Sequence, residues 1–406
     1  MYGLIGEKLG HSYSKVIHEK LGFYEYELFP LQESKLGPFL KGKEWQGLNV
    51  TIPYKKAVIP FCDSLSAAAQ KIGSINTLVR HADGSVHGDN TDFSGFLAMA
   101  EKAKISFVDK KVLVLGSGGT SLTAQTAVRE KGGTPVVISR DGENNYENLF
   151  RHKDADIIVN TTPLGMYPNT EASPVDLTHF PNCSAVLDVV YNPFYTRLLL
   201  QADALGIPNI GGLHMLVAQA KKACEIFTGQ SIADNKIDDI RNDIQKSLMN
   251  IVLIGMPSSG KSTIGKRLAA ALNMNFVDTD EAIKKSIGMP IPTFFEKFGE
   301  AEFRKLEAQE AQALGKERQQ VIATGGGIIK NFENYARLKQ NGMIVFLQRD
   351  LHLLSTKGRP LSKDRAALKE LYEERIHLYQ HFADYTINSN GSIENAVNAI
   401  RKALNR

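Results

Sequence analysis

The chain has 406 residues, 43% of them hydrophobic and 23% charged, which is an ordinary globular composition and sufficient length for two or three domains. Its 48 basic and 44 acidic residues give a formal net charge of +4 without long runs of one sign, so the sequence offers no support for a nucleic-acid or anionic-membrane partner. Three widely spaced cysteines, no signal-peptide pattern and no apolar run of membrane length argue against a disulfide-stabilised, secreted or membrane protein. We therefore expect a cytoplasmic protein, of open oligomeric state.

Polar residues form four short motifs within the first hundred residues. The motifs are His11-Ser12-Tyr13-Ser14, Asn49-Val50-Thr51-Ile52-Pro53-Tyr54-Lys55, Ser74-Ile75-Asn76-Thr77 and Gly88-Asp89-Asn90-Thr91-Asp92. Taken alone, Lys55 and Asp92 would be interpreted as a surface ion pair. His11 and the later His214 have no second histidine or carboxylate at metal-ligand spacing, so we interpret each as a structural residue or as one that supports a site residue without touching the ligand.

A glycine-rich turn follows the first strongly apolar strand of this region. Lys111-Val112-Leu113-Val114-Leu115 has the pattern of a buried strand, and Gly116-Ser117-Gly118-Gly119-Thr120-Ser121 leads from it into a predicted helix. The turn is close to the dinucleotide-binding fingerprint, with Ser121 where a third glycine or alanine usually stands. A purely structural turn would give the same pattern, so the motif by itself is a weak indication.

The next predicted strand bears on the choice of dinucleotide. Pro135-Val136-Val137-Ile138 ends at Ser139-Arg140-Asp141. Arg140 could pair with the 2′-phosphate of NADP, whereas Asp141 could accept a hydrogen bond from the free ribose hydroxyl of NAD. We favour NADP.

Two later motifs complete a set of six: Tyr191-Asn192-Pro193 and Gly211-Gly212-Leu213-His214-Met215-Leu216-Val217-Ala218-Gln219. With these motifs in this order, the chain from Met1 to about Gly229 resembles shikimate dehydrogenase. The resemblance implies that Lys55 protonates the carbonyl oxygen of 3-dehydroshikimate during NADPH-dependent reduction, with Asp92 orienting Lys55. The substrate contacts it implies are Ser12, Ser14, Asn49, Thr51, Asn76, Tyr191 and Gln219. The cofactor contacts it implies are Gly116, Ser117, Gly118, Gly119, Thr120, Ser139, Arg140 and Gly212.

An amphipathic segment connects this part of the chain to the next. Ile237, Ile240, Ile244 and Leu248 recur at helical spacing among charged residues. The pattern predicts a connecting helix and a domain boundary near Met249.

A phosphate-binding loop follows the boundary. Asn250-Ile251-Val252-Leu253-Ile254 predicts a buried strand, and Gly255-Met256-Pro257-Ser258-Ser259-Gly260-Lys261-Ser262 then leads into a helix, which is the context that a P-loop requires. Glycines let backbone N–H groups approach phosphate oxygens, Lys261 neutralises the β and γ phosphates, and Ser262 can ligate Mg²⁺. The residues expected to hold ATP in this loop are Gly255, Ser258, Ser259, Gly260, Lys261, Ser262 and Thr263.

Carboxylates and arginines downstream indicate a small anionic acceptor. Phe276-Val277-Asp278-Thr279-Asp280 ends a second predicted strand, so Asp278 could hold magnesium while Asp280 faces the acceptor hydroxyl. Arg304, Arg359 and Arg375 follow. Each arginine alone is more typical of a surface salt bridge, but together with the P-loop they favour phosphorylation of an anion.

From Ile251 to about Arg401 these elements resemble shikimate kinase, which has a nucleoside-monophosphate-kinase-like fold. The resemblance implies that Lys261 and Asp280 are catalytic and that Arg359 reaches the γ-phosphate of ATP from a lid. The stretch before Arg359 is shorter than many family lids and carries Lys357 where further arginines often appear. The acceptor contacts it implies are Asp280, Arg304, Gly325, Gly326, Gly327 and Arg375, with Arg304 and Arg375 meeting the carboxylate of shikimate.

Both resemblances involve one compound, because the product of the first reaction is the acceptor of the second. We therefore predict a bifunctional α/β enzyme that uses NADP(H), ATP and Mg²⁺. The alternatives are a quinate or other polyol dehydrogenase fused to another small-molecule kinase, and a ligand sensor built on an inactive enzyme. The predicted domains are a substrate-binding domain at 1–104 completed by a helix at about 211–230, a Rossmann NADP-binding domain at 105–210, a helical linker at 231–248, and a P-loop kinase domain with a parallel sheet at 249–406.

Overall fold

Three β-sheets organise the chain in the computed structural model, which describes residues 1–10, 12–355 and 364–406. Residue contacts divide the chain into two units, Met1–Asp243 and Ile244–Arg406, with two sheets in the first unit and one in the second. The predicted α/β class is confirmed. Among the described residues, no helix is both long enough and apolar enough to cross a membrane.

The first sheet has six strands in the order β2-β1-β3-β5-β6-β4. Its strands are β1 (Tyr2–Gly6), β2 (Tyr26–Pro30), β3 (Gly47–Val50), β4 (Ser64–Leu65), β5 (Thr77–Arg80) and β6 (Val86–Asp89), and its helices are α1 (Ser14–Leu21), α2 (Glu33–Lys41), α3 (Ala67–Ile72) and α4 (Thr91–Lys102). Because β5 runs antiparallel to both β3 and β6, Asn49 pairs with Thr77, and Thr77 pairs with Asp89. Three of the polar motifs therefore meet at one edge of this sheet.

The second sheet has five parallel strands in the order β11-β10-β9-β7-β8. Its strands are β7 (Lys111–Leu115), β8 (Thr134–Ile138), β9 (Ile157–Asn160), β10 (Ala185–Asp188) and β11 (Asn209–Gly211), with α5 (Gly119–Glu130) and α6 (Arg197–Ala204). Both faces are covered, since Val112 and Val114 pack into one apolar cluster and Leu113 and Leu115 into another. This explains why the sequence of β7 is a continuous apolar run.

Two further helices follow the second sheet: α7 (Leu213–Thr228) and α8 (Asn235–Leu248). α7 packs against α4 and α1, and the ring of Phe227 lies against Gly47 of β3. α8 is the helix that the spacing of isoleucines predicts, and Ile237, Ile240 and Ile244 are buried. The division between the two units falls within α8.

The second unit contains five parallel strands in the order β13-β14-β12-β15-β16. Its strands are β12 (Asn250–Ile254), β13 (Asn275–Asp278), β14 (Gln320–Ala323), β15 (Gly342–Gln348) and β16 (Tyr385–Asn388). Its helices are α9 (Lys261–Leu272), α10 (Thr279–Ile287), α11 (Ile291–Lys316), α12 (Glu333–Lys339), α13 (Arg365–Phe382) and α14 (Ile393–Ala403). The chain also forms 3₁₀ helices at Ile59–Phe61, Leu149–His152, Leu177–His179, Ile328–Lys330 and Leu351–Leu353.

The register of this parallel sheet gathers the predicted kinase motifs. Ala323 at the end of β14 pairs with Asp278 on one side and with Leu253 on the other. The loops that leave β12, β13 and β14 therefore lie side by side at the carboxyl edge, where ligands bind in open α/β sheets.

Candidate active sites

Lys55 and Asp92 form a close ion pair in the first unit. The Nζ of Lys55 lies 2.5 Å from Oδ2 of Asp92, and their side chains are 20% and 13% exposed. Asp92 stands in the first turn of α4, which Asn90 caps by accepting a hydrogen bond from the amide of Phe93. The Lys55 carbonyl accepts from the amide of Ile75, 2.8 Å away. Backbone contacts therefore hold both partners, and the ammonium group lies beside a carboxylate that can orient it.

The amide of Asn76 is held in one orientation by threonine neighbours. Its Oδ1 accepts hydrogen bonds from the Thr91 amide at 2.7 Å, the Thr91 hydroxyl at 3.1 Å and the Thr77 hydroxyl at 3.1 Å. Its Nδ2 points toward Oε1 of Gln219, 3.5 Å away, and that oxygen also accepts from the Thr91 hydroxyl at 3.3 Å. Sequence reasoning did not assign a role to Thr77 or Thr91, although both stand inside the motifs it singled out.

Asn49 is fixed from the other side of the same edge. The hydroxyl of Tyr26 donates to its Oδ1 at 2.7 Å, and its Nδ2 donates to the Thr77 hydroxyl at 3.1 Å and the Asn76 carbonyl at 3.3 Å. All of these side chains are buried. Buried amides with fixed partners have defined donor and acceptor atoms. These neutral side chains can therefore recognise the hydroxyl groups of a polyol by hydrogen bonding alone.

The remaining predicted substrate contacts lie on loops of the first unit. The Ser12 hydroxyl donates to the Ser14 hydroxyl at 3.0 Å, and the ring of the intervening Tyr13 lies 5.5 Å from the ring of Tyr191. The amide of Thr51 donates to the carbonyl of Ile5 at 2.9 Å, which holds the start of the loop that carries Lys55.

Of the two histidines singled out in the sequence, only His214 lies among the described residues. His11 lies outside the described residues. His214 is buried, and this burial lowers its pKa to about 4, so its ring is neutral at physiological pH. No group of three or more potential metal ligands occurs among the described residues.

The glycine turn after β7 is built for close approach of a ligand. Gly116 has a φ of +108°, and a Cβ there would lie 2.9 Å from Oγ1 of Thr161. At Gly118 and Gly119 an added Cβ would meet nothing within 4 Å, so the space above the N-terminus of α5 is open. The Ser121 hydroxyl donates to the Gly116 carbonyl at 2.6 Å, which explains how serine replaces the third glycine.

The other predicted cofactor residues lie along the same region. Ser117 is exposed and Thr120 lies in the first turn of α5. Ser139 and Arg140 follow β8, and Arg140 is exposed. A Cβ at Gly212 would lie 2.0 Å from the carbonyl oxygen of Val189, so only glycine fits there.

Asp188, a buried carboxylate that the sequence motifs did not indicate, connects the ends of β9 and β10 to the loop that follows β10. Asp188 accepts hydrogen bonds from Asn160 Nδ2 at 2.9 Å, the Val190 amide at 3.0 Å and the Thr196 hydroxyl at 2.7 Å. It is fully buried, and burial raises its pKa to about 6. The loop that carries Tyr191 is thereby tied to the end of β9.

The P-loop of the second unit has the backbone and side chains that phosphate binding needs. Gly255 and Gly260 have φ values of +149° and +95°, which favour glycine. The buried amino group of Lys261 donates to the carbonyls of Gly255 and Met256, both 2.9 Å away. Ser259 is buried and its Oγ has no hydrogen-bond partner among the described residues. Ser258 and Thr263 complete the set, with Thr263 exposed in the first turn of α9.

The two predicted metal ligands are adjacent. The Ser262 hydroxyl donates to Oδ2 of Asp278 at 2.5 Å. Oδ1 of Asp278 caps α10 by accepting from the amides of Asp280 and Glu281. The capping fixes the carboxylate, and hydroxyl and carboxylate oxygens are ligands that Mg²⁺ prefers.

Arg304 lies between two glutamates and a glycine. Its Nη1 donates to Oε2 of Glu307 at 2.9 Å, while Nε and Nη2 donate to Oε1 of Glu300 at 3.1 and 2.7 Å. A Cβ at Gly327 would lie 2.2 Å from Nη1 of Arg304, so the guanidinium lies directly against the glycine loop. Sequence reasoning assigned no role to Glu300.

Glu307 is the more deeply buried of the two glutamates. Its side chain is 1% exposed, and its Oε1 has no hydrogen-bond partner among the described residues. Burial raises the pKa of Glu307 to about 7, although Arg304 opposes the shift. For Glu300, burial opposes ionisation, but hydrogen bonds from Arg304 hold its pKa below the ordinary value.

Asp280, the glycine loop and Arg375 complete this cluster. Arg375 is 2% exposed and donates to the Gly326 carbonyl at 3.0 Å, as does the hydroxyl of Tyr379 at 2.6 Å. A Cβ at Gly325 would lie 2.6 Å from Oδ1 of Asp280. The structure thus brings together all the predicted acceptor contacts. Arg359 and Lys357 lie outside the described residues.

Comparisons with known proteins cover both units. Family models match the shikimate dehydrogenase substrate binding domain at residues 4–78 and shikimate kinase at residues 257–405. Among curated proteins, the NADP(+) shikimate dehydrogenases of Clostridium perfringens (strain SM101) and Methanosphaera stadtmanae are 35% and 33% identical; the alignments cover 60% and 56% of this chain and 98% and 91% of those proteins.

Three solved structures are similar to this chain over 60% of its length. A chorismate mutase/shikimate 5-dehydrogenase fusion from Clostridium acetobutylicum is 36% identical with a TM-score of 0.57, over 60% of this chain and 97% of that chain. Shikimate 5-dehydrogenase from Thermus thermophilus, in complex with NADP(H) and shikimate, is 30% identical with a TM-score of 0.55, over 60% and 98%. The 5-ketofructose reductase of Gluconobacter sp. strain CHM43 is 27% identical with a TM-score of 0.53, over 60% and 98%. The chain therefore belongs to the shikimate dehydrogenase family and carries a shikimate kinase domain in its second unit.

Proposed function

We propose that this chain catalyses two consecutive reactions, the NADPH-dependent reduction of 3-dehydroshikimate to shikimate and the MgATP-dependent phosphorylation of shikimate to shikimate 3-phosphate. One observation carries the proposal: a single chain contains both the Lys55–Asp92 pair of the dehydrogenase site and the Lys261, Ser262 and Asp278 cluster of the kinase site. Because each cluster has its own chemistry, the two activities are separable by mutation.

In the reduction, Lys55 has the position of a general acid. NADPH, when bound, supplies the hydride. Oxygen on the substrate gains negative charge as its carbonyl is reduced, so an ammonium group beside it can donate a proton. Asp92 keeps the ammonium aimed through its 2.5 Å contact. Asn49, Asn76 and Gln219 then bind and orient the substrate hydroxyls, with Ser12, Ser14, Thr51 and Tyr191 completing the site.

The first unit fits the dinucleotide. Open space above Gly118 and Gly119 leaves room for a pyrophosphate at the N-terminus of α5, where backbone N–H groups and the helix dipole favour anions. Arg140 is exposed at the end of β8, where it can meet a 2′-phosphate. We therefore assign NADP(H) to Gly116, Ser117, Gly118, Gly119, Thr120, Ser139, Arg140 and Gly212.

In the kinase unit, the buried polar groups of the P-loop fit phosphate oxygens. Lys261 exchanges its two carbonyl partners for phosphate, and the Ser259 hydroxyl gains a partner. Ser262 and Asp278 would hold Mg²⁺, which would supply positive charge beside the phosphates. Asp280 orients the attacking hydroxyl of shikimate, while Arg304 and Arg375 bind its carboxylate. We assign stabilisation of the γ-phosphate to Arg359.

The proposed organisation follows the sequence prediction: substrate binding at residues 1–104 with the helix at 211–230, NADP binding at 105–210, a linker at 231–248 and the kinase at 249–406. We also propose a cytoplasmic location, small-molecule partners and no nucleic-acid partner. Three free cysteines are consistent with a reducing compartment.

The decisive experiment supplies the purified chain with 3-dehydroshikimate, NADPH and MgATP and measures shikimate 3-phosphate by mass spectrometry. Omitting ATP should stop the sequence at shikimate, and omitting NADPH should prevent any product. If the chain does not oxidise NADPH in the presence of 3-dehydroshikimate, the result would support the ligand-sensor alternative.

A different dehydrogenase substrate is the second candidate, and similarity to a 5-ketofructose reductase makes it worth testing. Quinate and 5-ketofructose should therefore be compared with the shikimate pair in the redox assay, and gluconate and AMP with shikimate as phosphate acceptors. A higher kcat/KM for any of these alternatives would replace the proposed substrate of that unit.

A further inference from the structure

Glu300 and the buried Glu307 contact different nitrogens of the Arg304 guanidinium. Oε1 of Glu300 accepts from both Nε and Nη2 of Arg304, whereas Glu307 binds only Nη1. The Nε–Nη2 edge is one of the two edges at which a guanidinium can pair with a carboxylate, and Glu300 occupies it through a single oxygen. The Nε–Nη2 edge of Arg304 is therefore already occupied by a carboxylate of the chain.

We propose that Glu300 is an affinity-determining residue of the kinase site, because it occupies the edge of Arg304 that receives the acceptor's carboxylate and must leave when the acceptor binds. This inference rests on the proposed kinase function. It assigns opposite roles to two glutamates that contact the same guanidinium: Glu307 holds Arg304 in place, and Glu300 competes with the acceptor.

The two glutamates differ in how easily they can be displaced. Side-chain exposure is 37% for Glu300 and 1% for Glu307. The Glu300–Arg304 pair is partly exposed, with Arg304 at 19%, so water can solvate Glu300 after it separates while the acceptor's carboxylate pairs with Arg304. Displacing Glu307 would instead leave an unpaired charge in the interior. An incoming carboxylate can therefore replace Glu300 at small cost but cannot replace Glu307.

The backbone and a neighbouring lysine also suit release of Glu300. Gly299, immediately before it, has φ +83° and ψ 169° and interrupts α11. Glu300 is thus the first residue of the helical segment that carries Arg304, directly after the break in α11. Lys330 Nζ lies 3.5 Å from Glu300 Oε1 and 3.5 Å from Glu374 Oε1, so it keeps one carboxylate partner after Glu300 departs.

The test compares Glu300→Gln with Glu302→Gln in the full chain. Glu302 lies on the same helix and pairs with Lys305, so its replacement removes one negative charge without touching Arg304. Loss of the competing pair should lower the Kd for shikimate, measured by calorimetry, and its KM in the ADP-release assay by roughly two- to fivefold, the range expected for a partly exposed ion pair. Glu302→Gln should change neither value by more than about 1.5-fold on the same grounds.

A carboxylate-free ligand provides the second arm. The methyl ester of shikimate, used as a competitive inhibitor, should bind Glu300→Gln and the wild type equally, because no carboxylate competes with Glu300. An unchanged or higher Kd for shikimate in Glu300→Gln, or an equal gain for the ester, would overturn the inference while leaving the kinase function intact. Failure of the wild type to phosphorylate shikimate would overturn both.

Discussion

The substrate site around Lys55 is built mainly from neutral groups, whereas the acceptor site around Arg304 is built mainly from charged ones. At the first site, the amides of Asn49 and Asn76 are held by Tyr26, Thr77 and Thr91 through hydrogen bonds to neutral partners. At the second, Arg304 and Arg375 lie among glutamates and an aspartate. Yet both sites are proposed to bind shikimate.

The chemistry of the two reactions explains this contrast. Reduction of a ketone needs one proton donor near one oxygen, so a single ion pair among oriented dipoles is enough. Phosphoryl transfer gathers several negative charges, so cations must surround the acceptor and donor. A neutral site discriminates by the directions of its donors and acceptors, while a charged site discriminates by the presence of a carboxylate. The following predictions test that distinction.

The largest effects should come from removing the lysine of each site. Lys55→Met should lower kcat for NADPH oxidation by roughly 10²–10⁴-fold, because the general acid is lost. Lys261→Met should lower kcat for phosphorylation by on the order of 10²–10³-fold, because charge stabilisation at the phosphates is lost. Each variant should retain the other activity within about twofold, since general acid catalysis and phosphate binding use separate groups. Loss of both activities from either change would contradict independent sites.

Removing the buried arginine should distinguish charge from hydrogen bonding at the kinase site. Arg375→Met should raise the KM for shikimate by roughly 30-fold or more, because a desolvated carboxylate loses its charged partner. Tyr379→Phe is the matched control, since Tyr379 donates to the same Gly326 carbonyl as Arg375 but carries no charge. It should change KM by no more than about fivefold, the effect of losing one neutral hydrogen bond worth about 1 kcal/mol. Equal effects of the two changes would contradict carboxylate recognition by Arg375.

Thr91 provides the corresponding test at the neutral site. Thr91→Val keeps the side-chain shape but removes the hydroxyl that donates to Asn76 and Gln219. Leaving these buried amide oxygens less satisfied should lower kcat/KM for 3-dehydroshikimate about tenfold. Phosphorylation and the Kd for NADPH should not change. Thr91→Ser, which restores the hydroxyl, should recover most of the loss, and failure to do so would make the effect one of packing alone.

The contacts of Thr91 could not be predicted from the sequence, whereas the local elements could. Strand, glycine turn and helix are encoded by neighbouring residues, so both nucleotide-binding turns and the linker helix could be predicted from local patterns. The hydroxyl of Thr91 acts on Gln219, which is 128 positions away, and no spacing rule relates the two. Only the packing of α7 against α4 brings them together.

Other omissions have different causes. Glu300 and Arg304 are four residues apart on one helix, so their pairing could have been predicted from spacing. What spacing could not indicate is that Glu307 is buried and Glu300 is not, because burial depends on the glycine loop from another strand. Asp188 belongs to no phosphate-binding or catalytic pattern. Its three partners come from the end of β9, the loop after β10 and the residue that caps α6.

Asp188 yields the prediction with the smallest effect on catalysis. Asp188→Asn should leave both activities within about twofold, because the new amide oxygen can accept from Asn160 and Val190 while its NH₂ donates to Thr196. At pH 7.5 the variant should nevertheless be more stable by about 1–3 kcal/mol, because burial raises the carboxyl pKa from 3.8 to about 6 and disfavours its charged form in the folded state. Fluorescence of Trp45, the chain's only tryptophan and a buried residue of the first unit, reports this unfolding transition.

The pH dependence of that difference separates a charge effect from a packing effect. Between about pH 4 and pH 6 the folded state holds the Asp188 proton more tightly than the unfolded state, so the wild type gains stability relative to the variant as the pH falls. The gap should close near pH 4, where the carboxyl is protonated in both states. Asp154→Asn, which removes an exposed carboxylate paired with Lys111, is the control and should not stabilise the first unit at pH 7.5. A gap for Asp188→Asn that persists unchanged to pH 4 would mean that the neutral amide packs better, and that the first unit carries no cost from its buried charge.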